Sequence, residues 1–75
     1  MNIDVSAHAC ERMKKRRVSE ADIFEVLGEF SQTSKPNADG SGTAITATIG
    51  SGRKLTVVVA GKRPFPEPIF IITVY

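Results

Sequence analysis

The chain has 75 residues, of which 41% are hydrophobic and 24% charged, with a net charge of +2. That is enough for one small domain with one core, and it excludes both a second core and global disorder. Cys10 is the single cysteine and His8 the single histidine, so an internal disulfide and a sulfur-rich metal site are excluded as well.

Charge is unevenly placed. Arg12, Lys14, Lys15, Arg16 and Arg17 put five of the ten cations into six residues, and Glu20, Asp22, Glu25 and Glu29 follow with half of the eight acids. The first element is therefore basic and the second acidic. The opening MNIDVSAHAC lacks the long apolar run of a signal peptide, and no segment approaches ~18 uninterrupted apolar residues. The expectation is a soluble cytoplasmic protein with no membrane segment and no cofactor.

Taken in order, Ser6 is the predicted N-cap of a first helix, Ser6 to Arg17, with Val5, Ala9, Cys10 and Met13 on one arc. His8, Arg12 and Arg16 recur every fourth residue and form a stripe beside that arc. Arg17 would turn toward the apolar side if the helix went on, so an end near Arg16 or Arg17 is predicted. Ser19 and Asp22 have the spacing of a capping box in which Asp replaces Glu. Glu20 to about Phe30 then supplies Ile23, Val26, Leu27 and Phe30 at the spacing of an amphipathic helix, with Glu25 and Glu29 facing outward. Gly28 lies off the apolar stripe.

Beyond Phe30 the period changes to two. Gln32 to Lys35 is a short candidate strand, followed by a turn at Pro36-Asn37-Ala38-Asp39-Gly40. Thr43 to Ile49 places Ile45, Ala47 and Ile49 on one face. Gly50-Ser51-Gly52 reads as a tight hairpin connection, and Leu55 to Ala60 as a central strand, apolar on both faces. Lys62 to Pro68 contains three prolines and reads as a stiff loop. Ile69 to Tyr75 is the last strand, with Phe70, Ile72 and Val74 expected on the core face. The whole is a single α+β domain over residues 1–75, two N-terminal helices on one face of a three- or four-stranded antiparallel sheet. An antiparallel return puts Arg53 and Tyr75 at the same end of that sheet.

The segments His8-Ala9-x-Glu11-Arg12-Met13-Lys14 with Arg16, Val18-Ser19-Glu20-x-Asp22-Ile23 and Ile72-Thr73-Val74-Tyr75 resemble a small bacterial family catalogued as domain of unknown function four-two-five-eight. The resemblance covers nearly the whole chain and is weakest from Ser31 to Gly42. It implies a RelE/ParE-type fold, a group that includes RNases of toxin and antitoxin systems, although the family label assigns no activity. Relatives often carry Gly where this chain has Arg17, a residue that suits a left-handed helix cap.

Metal-independent RNA cleavage needs a base near the ribose hydroxyl, an acid for the leaving oxygen and donors around the phosphorane. His8, Tyr75 and Thr73 are the candidate catalytic residues, because imidazole titrates near neutrality and a tyrosine stacks on or donates to a nucleotide. Arg12, Arg16 and Arg53 are the candidate phosphate ligands. Plainer roles stand beside these. His8 could bond to Glu11 or Asp4; Arg12 and Arg16 could pair with Glu20, Glu25 or Glu29; Thr73 and Tyr75 could be strand formers; Cys10 reads as core. Two functions follow: a metal-independent RNase or RNA-binding toxin-like protein whose partners are RNA or a cognate antitoxin-like protein, and a non-catalytic interaction module working through a sheet edge or the acidic second helix.

Overall fold

Three polar side chains set the helix starts. In the computed structural model, which describes residues 2–28, 33–36 (backbone only), 42–61, 65 and 67–75, Ser6 is extended and its hydroxyl accepts the Ala9 N–H at 3.0 Å, opening α1 (Ala7–Arg16). Ser19 and Asp22 close a reciprocal box before α2 (Glu20–Gly28): the Ser19 N–H donates to Asp22 Oδ2 at 3.0 Å, and the Asp22 N–H donates to Ser19 Oγ at 3.2 Å. Between them Arg17 adopts φ 54° and ψ 50°, the left-handed conformation, and Val18 N–H reaches back to the Met13 carbonyl at 2.8 Å. This is the closed helix end that usually has glycine at its turning residue.

The strands are β1 (Ile3–Val5), β2 (Thr33–Pro36), β3 (Gly42–Thr48), β4 (Lys54–Ala60) and β5 (Ile69–Val74), in the sheet order β1-β5-β4-β3-β2. From β2 to β5 every pairing is antiparallel, as expected of a meander. The expected all-antiparallel sheet of three or four strands is corrected at its margin, where β1 pairs with β5 in parallel, Asp4 beside Phe70. Three residues are too few for an alternating pattern to be read, and Val5 also fits the arc of the helix that follows. The predicted turn at Asn37 to Gly40, the predicted helix residues Glu29 and Phe30, and Lys62 to Pro64 and Pro66 of the predicted proline-bearing loop lie outside the described residues.

Both helices cover the same face. Ala9 of α1, Val18, and Ile23 and Val26 of α2 share one core with Ile45, Ala47 and Ile49, with Leu55, Val57 and Val59, and with Ile69, Ile71 and Val74. Full burial of a side chain such as Ile23, Leu55 or Ile71 contributes ~1.5–3 kcal/mol relative to exposure. α1 lies against β5, and α2 against β3 and β4. Cys10 is exposed, which corrects its reading as core: Ala9, fully buried, and Met13, packed at the margin, take the inward arc.

The phase of β5 also departs from expectation. Val57 pairs with Val74 and Val58 with Thr73, but Val59 pairs with Ile71, so Ile72 is an extra residue at a bulge. One inserted residue reverses the alternation. Ile69 and Ile71 therefore point inward before the bulge and Val74 after it, while Phe70 stays 42% exposed. Ile72 extends over the opposite, helix-free face as far as β3, where its Cδ1 lies 3.2 Å from where a Cβ on Gly42 would stand. Such a Cβ would also collide with the Val59 carbonyl oxygen, so this register needs glycine at 42.

Candidate nucleic-acid interface

α1 carries its cations outward. Lys14, Lys15, Arg16 and Arg17 are exposed and Arg12 is half-buried. Arg12 Nε is itself buried and makes no hydrogen bond. The pairing of Arg12 and Arg16 with the acids of α2 does not form among the described residues. Glu25 is engaged elsewhere, accepting the Gly50 N–H at 2.6 Å and holding the β3–β4 hairpin against α2. His8 is exposed in the first turn of the same helix. The ridge thus runs from an imidazole at one end to Arg16 and Arg17 at the other, roughly 12 Å along the axis at 1.5 Å per residue.

Arg53 is drawn into this ridge from the sheet. It follows the hairpin, with its own carbonyl accepting the Ile49 N–H at 2.9 Å. Its guanidinium donates Nη1 to the Arg17 carbonyl at 3.1 Å and Nη2 to the Arg16 carbonyl. These carbonyls belong to the end of α1, where the last turn has no helical donors of its own. A positive group there also meets the negative pole of the helix dipole. Sequence spacing gave no sign of this contact, which spans 36 residues.

Thr73 and Tyr75 stand on the other side of the sheet. Tyr75 exchanges both backbone hydrogen bonds with Thr56, at 2.9 and 2.8 Å, and is therefore directly opposite it. Opposed residues share a face. Since Val57 and Val74 point into the core, Thr56 and Tyr75 point away from it, as do Val58 and Thr73. The Thr56 hydroxyl is bonded to that of Thr46 at 2.8 Å, so a row of hydroxyls leads across β3 and β4 to the 48% exposed Tyr75 ring. Val58 is only 6% exposed although it lies outside the main core, consistent with Ile72 reaching across this face.

The six candidate residues therefore do not form one cluster. Arg12, Arg16, Arg53 and His8 belong to the helix layer, with Arg53 at the Arg16 end and His8 at the far end. Thr73 and Tyr75 belong to the helix-free face, and Tyr75 lies at the same end of the sheet as Arg53. Lys14, Lys15 and Arg17, which the every-fourth-residue stripe left out, are further exposed cations around the same end of α1; the local density of cations was the sequence feature that marked them. Among the described residues there is no group of three or more His, Cys, Asp or Glu side chains able to hold a metal ion. No described helix is long and apolar enough to cross a membrane.

A family model described as "Domain of unknown function (DUF4258)" matches residues 5–75. The chain belongs to that family. No curated protein and no solved structure matches it.

Proposed function

We propose that this DUF4258 domain is an RNA-binding protein of the toxin-like kind, holding the phosphates of a single strand along α1. The observation that carries the reading is the concentration of cations on α1, with Lys14, Lys15, Arg16 and Arg17 exposed and Arg12 half-buried, none of them ion-paired with Glu20, Asp22 or Glu25 among the described residues of the neighbouring acidic helix. Counter-ion release from phosphates is the main source of affinity for such a surface. The order of two helices followed by a meander supports placing the domain beside the RelE/ParE-type proteins, and an RNA partner fits a cytoplasmic location. Any cleavage is metal-independent and belongs to His8, the one imidazole on the ridge, acting on the ribose hydroxyl or the leaving oxygen. Tyr75 and Thr73 contribute contacts to bases or sugars of a strand that continues round the Arg53 end of the sheet, Tyr75 by stacking.

The experiment is a titration of a labelled single-stranded RNA at several salt concentrations. With about four phosphates held, the log-log slope is roughly −2.8. Binding indifferent to salt refutes the reading. One observation favours a second role, as an interaction module: Phe70, Ile72 and Tyr75 leave apolar surface on the helix-free face, which suits a protein partner such as a cognate antitoxin-like chain. Recovery of one defined protein by copurification supports that role, and consistent recovery of the monomer alone opposes it.

A further inference from the structure

Arg53 looks, by charge alone, like one more phosphate ligand. Its surroundings argue otherwise. The residue is half-buried, and each of its two terminal nitrogens donates to a carbonyl oxygen, those of Arg17 and Arg16. Those oxygens form the negative pole of α1, so a phosphate approaching the guanidinium also approaches two acceptors that repel it. Beyond Arg53, the turn is anchored on its far side by Val18, buried in the core, and by the Ser19–Asp22 box; its own backbone closure is weak. Arg17 sits in the left-handed region at φ 54°, which disfavours any side-chain-bearing residue. The Arg17 N–H reaches the Lys14 carbonyl only at 3.4 Å, leaving Val18 N–H to Met13 as the one short backbone closure. The hairpin that carries Arg53 is itself fixed to α2 by Glu25. Arg53 is thus the link between a braced hairpin and a turn that is locally unfavourable, and that turn bears the exposed cations Arg16 and Arg17.

We propose that Arg53 is a positioning residue: by clamping the Arg16 and Arg17 carbonyls it aims those two side chains at RNA phosphates, and it makes no phosphate contact of its own. This rests on the RNA-binding reading above and assigns the division of labour within that surface. A lysine is not a substitute, because one ammonium lacks the planar fork that reaches two carbonyls in fixed directions.

The test has one arm without RNA and one with it. In the protein alone, amide exchange at Val18 reports closure of the turn; Arg53→Ala and Arg53→Lys should both speed it at least tenfold while the exchange of β4 amides and cooperative melting persist. With single-stranded RNA, Arg53→Ala should weaken binding several-fold in the otherwise unchanged protein, and Arg53→Lys nearly as much despite keeping the charge. In an Arg16→Gln, Arg17→Gln background, Arg53→Ala should then change Kd by less than about twofold, because the residues it acts through are gone. A further several-fold loss in that background, with the salt slope falling by another ~0.7, would show a direct phosphate contact and overturn the proposal. Unchanged Val18 exchange in Arg53→Ala overturns it as well, even if RNA binding is confirmed. Absence of RNA binding by the unsubstituted protein instead removes the function itself and with it this role of Arg53, whatever the exchange shows.

Discussion

Replacing Ser6 should cost far more than the loss of a helix cap. Its hydroxyl accepts the Ala9 N–H and at the same time donates to the Ile72 carbonyl at 2.8 Å, while its own N–H donates to the Ile71 carbonyl at 3.1 Å. One residue therefore starts α1 and fastens it to the bulge that sets the phase of β5. Ser6→Ala removes the cap, about 1 kcal/mol, and leaves the partly buried Ile72 carbonyl without its donor, a further 1–3 kcal/mol or so. The sum, roughly 2–4 kcal/mol, corresponds in a domain of this size to a fall in melting midpoint of at least about 8 °C. Ser6→Asp sharpens the test. At an ordinary N-cap aspartate equals serine, but an ionised carboxylate only accepts, so here it restores the bond from Ala9 and repels the Ile72 oxygen. Thermal melts followed by circular dichroism should rank unsubstituted protein, then Ser6→Thr, then Ser6→Asp and Ser6→Ala well below. An aspartate variant as stable as the serine protein, or an alanine variant within about 3 °C of it, would refute the double role.

Three other substitutions follow from the geometry. Arg17→Gly relieves the left-handed strain and should raise stability by about 1 kcal/mol in a denaturant titration, while lowering RNA affinity through loss of a cation. Gly42→Ala drives a methyl into the Val59 carbonyl oxygen and should destabilise by about 2–3 kcal/mol, as overpacking does, read as a shift in the denaturation midpoint. His8→Ala touches an exposed residue and should leave melting within about 0.5 kcal/mol of the unsubstituted protein; if the domain cleaves RNA, cleavage should fall sharply, and retained cleavage would remove His8 from the chemistry.

Local chemistry was readable in the sequence and long-range chemistry was not. The Ser6 cap, the Ser19–Asp22 box, the end of α1 at Arg16 and the central apolar strand all follow from residues within four positions of one another or from strict alternation. The phase of β5 is not legible because a bulge is an offset between two strands, and neither Ile72 nor its neighbours carry the glycine that would announce one. β1 is not legible because Ile3-Asp4-Val5 is too short to show a period. The candidate site divided for a similar reason. Spacing correctly grouped His8, Arg12 and Arg16 on one helix, and an antiparallel return correctly brought Arg53 and Tyr75 to one end, but whether a strand residue faces the helices depends on the bulge. That offset puts Thr73 and Tyr75 on the far side of the sheet. The clamp from Arg53 depends on a contact 36 residues distant, for which no local pattern exists.

Contact between the cations of α1 and RNA phosphates is read from the salt dependence of binding in a variant that keeps the fold. Arg16→Gln with Arg17→Gln changes two exposed side chains and leaves the core untouched. Fluorescence anisotropy with a single-stranded RNA at graded salt should give a weaker Kd and a slope reduced from roughly −2.8 to roughly −1.4, two phosphate contacts having been lost. A slope and affinity equal to those of the unsubstituted protein would show that Arg16 and Arg17 hold no phosphate.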